Sequence, residues 1–420
     1  MTPAARIEAV IGLLSDILSD TRPADAAASA YFRDRRYIGS KDRAAISQKL
    51  FRILRSYHRL AWHLNEDVDA RRLAIADLIL NAEHSATSLD EAFSGEGYAP
   101  QRLNEKERAV AQKLEGKATN DPAMPEQVLL ECPPWAYAAL QESLGQGLEA
   151  EMMAMMGQAP LDLRVNLIKA TRDKVLSTLK KEGIAASAGK LSPVSVRLEE
   201  KFQITRHPLY MEGLVEIQDE GSQMVAVIAD AKPGEQVADF CAGAGGKTLA
   251  MAAMMENKGR IVALDVLEHR LEKAKLRFRR AGVHNIETRA LNDEKADKWL
   301  KRQRGNFNLV LVDAPCTGTG TWRRSPDQRW RQLGPRLEEL LTLQRDILKT
   351  AATMVRPGGR LVYATCSLLR QENEDQVREF LQDHPDFRIS QDFMKLTPAT
   401  SDTDGFFAAS LERKAEKASA

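Results

Sequence analysis

A chain of 420 residues is too long for one compact hydrophobic core, so two or three domains are expected. With 43% hydrophobic residues, 28% charged residues and a net charge of +1, its composition is that of a globular protein, and a nucleic-acid partner has to be argued from local basic clusters. Four cysteines without a Cys-x-x-Cys pair exclude a disulfide framework and a zinc site, and no apolar run is long enough to span a bilayer.

Residues 1–150 read as one helix after another. Ile7, Val10, Ile11, Leu14 and Ile17-Leu18 recur at helical spacing, Ala44–Leu60 and Leu60–Leu80 repeat the pattern, and few β-branched runs interrupt it. Glu8, Asp16 and Asp20 make this N-terminus unlike a secretion signal, and a reducing cytoplasm is the expected compartment. Gly95–Gly97 marks a loop, and Pro122, Pro125 and Pro133-Pro134 punctuate the end of the region.

A smaller unit follows over 151–216. Leu161–Leu167 alternates like a strand, Arg172–Glu182 is helical and Val194–Leu198 is a second strand, an order that fits a small RRM-like α/β module. From 217 to 415 strands and helices alternate. Strands are expected at Gln236–Phe240, Arg260–Asp265, Ile286–Ala290, Asn308–Asp313 and Arg360–Thr365, with helices at Glu268–Ala281 and Leu337–Val355 among those between them. Such alternation builds a doubly wound parallel sheet, whose ligands bind at the carboxyl ends of the strands.

The first of these strands runs into Cys241, Ala242, Gly243, Ala244, Gly245, Gly246 and Lys247 before a helix. A phosphate-binding P-loop would require glycine at Cys241, and a dinucleotide fingerprint would require it at Thr248. Both fail. A loop of small residues remains, followed by an acidic Asp265 at the end of the next strand and Asp293 after the third, which suits S-adenosylmethionine: Asp265 for the ribose hydroxyls, Asp293 for the adenine amino group.

The fourth strand ends in Asp313-Ala-Pro-Cys316 and the fifth in Thr365-Cys366-Ser367, so neighbouring strands bring two thiols and a carboxylate to one cleft. C5 of cytosine is a poor nucleophile until a thiolate adds to C6. The adduct can then be methylated, after which a second group must remove the C5 proton. An acid such as Asp313 can serve N3. Cys132 and Cys241 read as buried small residues, the latter lining the cofactor loop. The turn at Asp313 lacks the Pro-Pro-aromatic sequence of an adenine amino-methyltransferase.

At these residues the chain resembles the Nop–Sun family of RNA 5-methylcytosine methyltransferases, its RsmB-like branch most closely. The likeness is carried by Gln218–Gln223, Asp239–Thr248, Asp265 with Arg270, Asp313–Cys316, Thr365–Ser367, Gln371-Glu-Asn-Glu374 and Asp404–Ala408. It implies a class I methyltransferase of Rossmann type, with Cys366 as nucleophile, Cys316 as release base, and Lys247 beside cofactor and target base. It favours small-subunit 16S ribosomal RNA over DNA, where the Pro-Cys residue is the nucleophile. A decayed, non-catalytic RNA-binding or assembly factor is the rival from another class. One departure stands out: Gly243-Ala244 replaces the usual Ala-Pro, which should loosen the turn.

The resemblance also implies a NusB-like N-terminal domain, with Arg35, Arg36, Lys41 and Arg43 as RNA contacts. Near the Cys316 turn, Trp322, Arg323, Arg324 and Arg329 combine cations with aromatic rings, as a splayed, single-stranded or flipped-out RNA base requires. Arg277–Arg280 reads as a solvated helix face. A monomer with no metal and no membrane partner is expected.

Overall fold

The computed structural model describes residues 1–65, 67–200 and 202–415. They form two compact units. One comprises Met1–Gly157 together with Trp322–Gly334, the other Gln158–Thr321 together with Pro335–Ala420.

The first unit is helical. Its opening helix, Pro3–Ser19, starts where the Thr2 hydroxyl accepts the Ala5 N–H and where Pro3 needs no hydrogen bond of its own. Leu13, Leu14 and Ile17 on its inner face pack into one core with Ile46 and Leu50 of the helix Ser40–Arg55 and Leu73 of the helix Ala70–Leu80. Two periodic stretches are each broken once: a new helix, Tyr57–His63, begins after Ser56, and another at Ala70 behind its Asp69 cap.

Within the second unit, β1 (Leu161–Val165), β2 (Ala186–Ala188), β3 (Ser195–Leu198) and β4 (Val215–Ile217) form an antiparallel sheet in the order β2-β3-β1-β4. The helix Arg172–Lys181 lies between β1 and β2 in sequence. Two of these strands, β2 and β4, are only three residues long and carry too little alternation to be read in advance.

The second sheet holds β5 (Gln236–Asp239), β6 (Arg260–Asp265), β7 (Ile286–Ala290), β8 (Phe307–Asp313), β9 (Val355–Thr365), β10 (Phe387–Ile389), β11 (Met394–Leu396) and β12 (Phe406–Arg413). Its order is β10-β12-β9-β8-β5-β6-β7, with β11 on β12. The strands β5 to β9 are parallel, whereas β12 runs antiparallel to β9. All five expected strands are present. The chain order reverses on either side of β5, which opens a crevice at the carboxyl ends of β5, β6 and β8.

Two expectations change. The basic-aromatic segment after Cys316 belongs to the helical unit: Trp322–Gly334 leaves the 217–415 stretch and packs among N-terminal helices. The Asp327 carboxylate there accepts the Ala24 N–H at 3.0 Å and an Arg331 N–H at 2.9 Å. Trp330 stacks on Tyr57 with centroids 4.0 Å apart and donates to the Leu54 carbonyl. Trp322, Arg323 and Arg329, expected as RNA contacts, are 0%, 3% and 0% exposed and so do not present an RNA-binding surface in this conformation. Trp322 meets Trp135 edge-on instead, and Arg329 lies over Trp322. Arg324 is half-buried.

The second change concerns Arg277–Arg280. Arg277 and Arg280 both bind the buried carboxylate of Glu216 on β4, so two members of that cluster clamp the small sheet to the large one.

Candidate active site

The loop after β5 is held tightly despite lacking proline. Gly243 and Gly245 take left-handed backbone, at φ +55° and +79°, and a Cβ at Gly245 would come within 2.5 Å of the Phe278 ring. The Gly243 N–H donates to Asp265 at 2.8 Å, the Gly245 N–H to the Ala242 carbonyl at 2.9 Å, and Arg277 to the Ala244 carbonyl at 2.7 Å. Arg164 of β1 donates to the Gly246 carbonyl. The turn is thus pinned by its neighbours, and the expected loosening at Gly243-Ala244 is countered.

This loop is ringed by acid. Asp239, at the end of β5, is fully buried, and one of its oxygens accepts from Thr248 at 2.6 Å while the other has no partner. Burial raises its carboxyl to about 7, with the Thr248 bond opposing. Asp265 ends β6 and also accepts the Leu267 N–H. Asp239, Asp265 and Asp313 outnumber Lys247, a balance that suits a cationic ligand such as a sulfonium with an ammonium group. The buried orphan oxygen of Asp239 and the tight glycine turn fit S-adenosylmethionine. Cys241 is half-buried, and burial drives its thiol well up. Arg270 and Asp293 are exposed, on the first turn of the helix Glu268–Ala281 and after β7, with Asp293 accepting the Lys295 N–H.

Lys247, Asp313, Cys316 and Cys366 come together as expected from the strand ends. Lys247 Nζ lies 2.7 Å from Asp313 Oδ2, and its burial is outweighed by Asp313, so its proton affinity rises. Cys316 Sγ stands 3.4 Å from Cys366 Sγ. The hydrogen bond to Cys366, burial, the Cys366 charge and the Glu372 charge push the Cys316 thiol well above its usual range. Cys132, in the helical unit, is buried and pushed up to about 12.

The two cysteine turns lean on each other through backbone and hydroxyl contacts. The Gly320 N–H donates to the Cys366 carbonyl at 3.0 Å, and the Gly405 N–H to the Gly320 carbonyl at 2.8 Å. A Cβ on Gly320 would sit 2.5 Å from the Gly405 oxygen, so this contact requires glycine. Ser367 and Thr319 hydroxyls meet at 3.1 Å beneath it. Sequence reasoning gave no role to Glu372, Gln344, Thr319 or Gly405; only the likeness of the stretches around Glu372 and Gly405 marked two of them.

Among the four N-terminal residues expected to contact RNA, Arg36 and Lys41 are exposed. Arg35 stacks over Tyr31 at 3.8 Å and Arg43 donates to the Ile38 carbonyl at 2.7 Å, so both also brace the helical unit. Tyr37, 78% exposed, stands beside Arg36 in the chain. Among the described residues no helix is long and apolar enough to cross a membrane, and no cluster of metal-ligating side chains occurs.

Residues 226–412 match the family described as 16S rRNA methyltransferase RsmB/F, and residues 132–205 match its ferredoxin-like domain. The chain is 30% identical over 404 residues to the ribosomal RNA small subunit methyltransferase B of Salmonella paratyphi A, covering 90% of this chain and 92% of that one. It is 34% identical to a probable ribosomal RNA small subunit methyltransferase B of Synechocystis, covering 67% of this chain and 66%, just under two thirds, of the relative. A solved methyltransferase homologue from Pyrococcus horikoshii is 29% identical with a TM-score of 0.60, covering 70% of this chain and 100% of that one.

Proposed function

The chain belongs to the RsmB/F family of ribosomal RNA small subunit methyltransferases, and on that footing we propose that it methylates C5 of a cytosine in 16S ribosomal RNA through a covalent bond between Cys366 and C6. The observation that carries this reading is the pair of thiols 3.4 Å apart beside the Lys247–Asp313 ion pair.

The 241–246 loop, Asp265 and the neighbouring carboxylates would hold S-adenosylmethionine, which would supply an electrophilic methyl group. Cys366 Sγ adds to C6 of the base, and the Lys247–Asp313 pair steers a proton to N3 so that the ring's negative charge is stabilised. C5 becomes nucleophilic and is methylated. Cys316 then removes the C5 proton, the C5–C6 double bond reforms and the bond to Cys366 breaks. Two causes that raise the Cys316 thiol, its hydrogen bond to Cys366 and the Cys366 charge, vanish once Cys366 is a thioether. The target base has to be single-stranded or flipped out for C6 to meet the thiol. On the helical unit, exposed Arg36 and Lys41 are the phosphate contacts this reading retains.

A denaturing gel of Cys316→Ala purified from cells tests the assignment. The expected result is a slow, nuclease-sensitive band of protein joined to RNA, absent from Cys366→Ala. No band, from a preparation whose wild type methylates RNA, refutes the division of labour. A wild type that transfers no methyl group to any RNA favours the non-catalytic reading.

A further inference from the structure

Glu372 lies in the short turn Arg370–Glu372 and is 0% exposed. Its carboxylate accepts the Thr317 N–H at 2.9 Å, the Thr317 hydroxyl, and the Gln344 side-chain amide at 2.9 Å. The same Gln344 amide donates to the Pro315 carbonyl at 2.9 Å. The residues on both sides of Cys316 are thus tied, directly or through Gln344, to one buried carboxylate. The Glu372 main chain is fixed as well: the Tyr363 hydroxyl of β9, the strand that delivers Cys366, donates to the Glu372 carbonyl at 2.7 Å. All three donors converge on this one buried side chain, so its loss leaves them without their acceptor.

We propose that Glu372 is a positioning residue for product release, holding the Pro315-Cys316-Thr317 turn so that Cys316 reaches the C5 proton of the covalent RNA adduct. The inference rests on the two-cysteine reading above. Glu372 touches neither substrate nor cofactor. It acts through Cys316, whose sulfur must lie within reach of a single carbon on a base already anchored at Cys366. Misplacement by about 1 Å costs roughly a hundredfold in rate. Addition by Cys366, set on the other strand, does not depend on the Glu372 carboxylate.

The test compares Glu372→Ala and Glu372→Gln with wild type and Cys316→Ala, each purified from cells, run on a denaturing gel and assayed for single and multiple turnover of labelled methyl groups. Glu372→Ala is expected to accumulate nuclease-sensitive covalent RNA and to complete a first methylation while multiple turnover falls roughly a hundredfold. Glu372→Gln retains an acceptor for the Thr317 and Gln344 donors, and is expected to show little adduct and to restore most of the turnover. A merely structural role would lower first and later turnovers together and leave no band. Folded Glu372→Ala without a band, next to a Cys316→Ala that shows one, overturns the proposal while leaving the two-cysteine reading intact. A Cys316→Ala without a band refutes both. If Glu372→Ala does not fold, Gln344→Ala, which cuts the tie to Pro315, carries the same expectation, and its failure to accumulate adduct counts against the proposal.

Discussion

Replacing Glu216 with alanine should damage a site some distance from its own strand. The Glu216 side chain is 2% exposed and is shared by Arg277 and Arg280, which are 24% and 21% exposed. Removing one partner of a buried ion pair costs about 3–5 kcal/mol because the other charge is left without compensation. Here both guanidiniums can still reach water, so we place the cost just below that range, at ~2–3 kcal/mol. The second unit spans about 250 residues, for which each kcal/mol moves the melting temperature by roughly 2–4 °C, giving a fall of about 4–12 °C. Arg277 also holds the Ala244 carbonyl, and freeing that guanidinium should let the cofactor loop move. Hydrogen bonds to charged groups contribute about 1.5–3 kcal/mol, so S-adenosylmethionine should bind roughly tenfold more weakly or worse. Scanning calorimetry and equilibrium binding measure the two effects, with Glu216→Gln expected to lie between. A melting temperature that falls while the affinity stays at the wild-type value would refute the coupling of β4 to the cofactor loop through Arg277.

Two further outcomes are expected. Trp322→Ala removes a fully buried ring from the helical unit and should cost that unit about 3–5 kcal/mol, seen as an earlier calorimetric transition; an unchanged transition would mean that the 322–334 segment is not part of its core. Asp239 is raised from 3.8 to about 7, so its contribution to stability is complete below the lower value, declines as pH rises towards 7 and is lost above it. Asp239→Asn should therefore flatten the fall in melting temperature between about pH 4 and pH 7, and a slope equal to wild type would contradict this.

The strands that carry the site could be read because each is a short apolar run ending in small or polar residues, as in Leu309–Asp313 and Leu361–Thr365. The strands β10, β11 and β12 were not read, since two of them have only three residues and β12 presented itself only as the Asp404–Ala408 likeness. The basic segments were harder, for a physical reason. A guanidinium's surroundings decide whether it faces water or a buried carboxylate, and those surroundings come from distant parts of the chain. Arg331 finds carbonyls of Asp20 and Arg22, and Arg277 finds Glu216, none of them local in sequence. Glu372 was hidden in the same way: its partners Thr317 and Gln344 lie 55 and 28 residues away.

The borrowed segment sets an order for the protein's synthesis. Domains generally fold as they leave the ribosome, at about 5–20 residues per second. The helical unit emerges first, but it cannot close its core until Trp322–Gly334 has been made, 177 residues after Gly157. For roughly 9–35 s the nascent N-terminal helices must wait, with the places for Trp322, Asp327 and Trp330 unfilled, while β1 to β8 are being translated. The helical unit is completed by a piece of chain made in the midst of the methyltransferase unit.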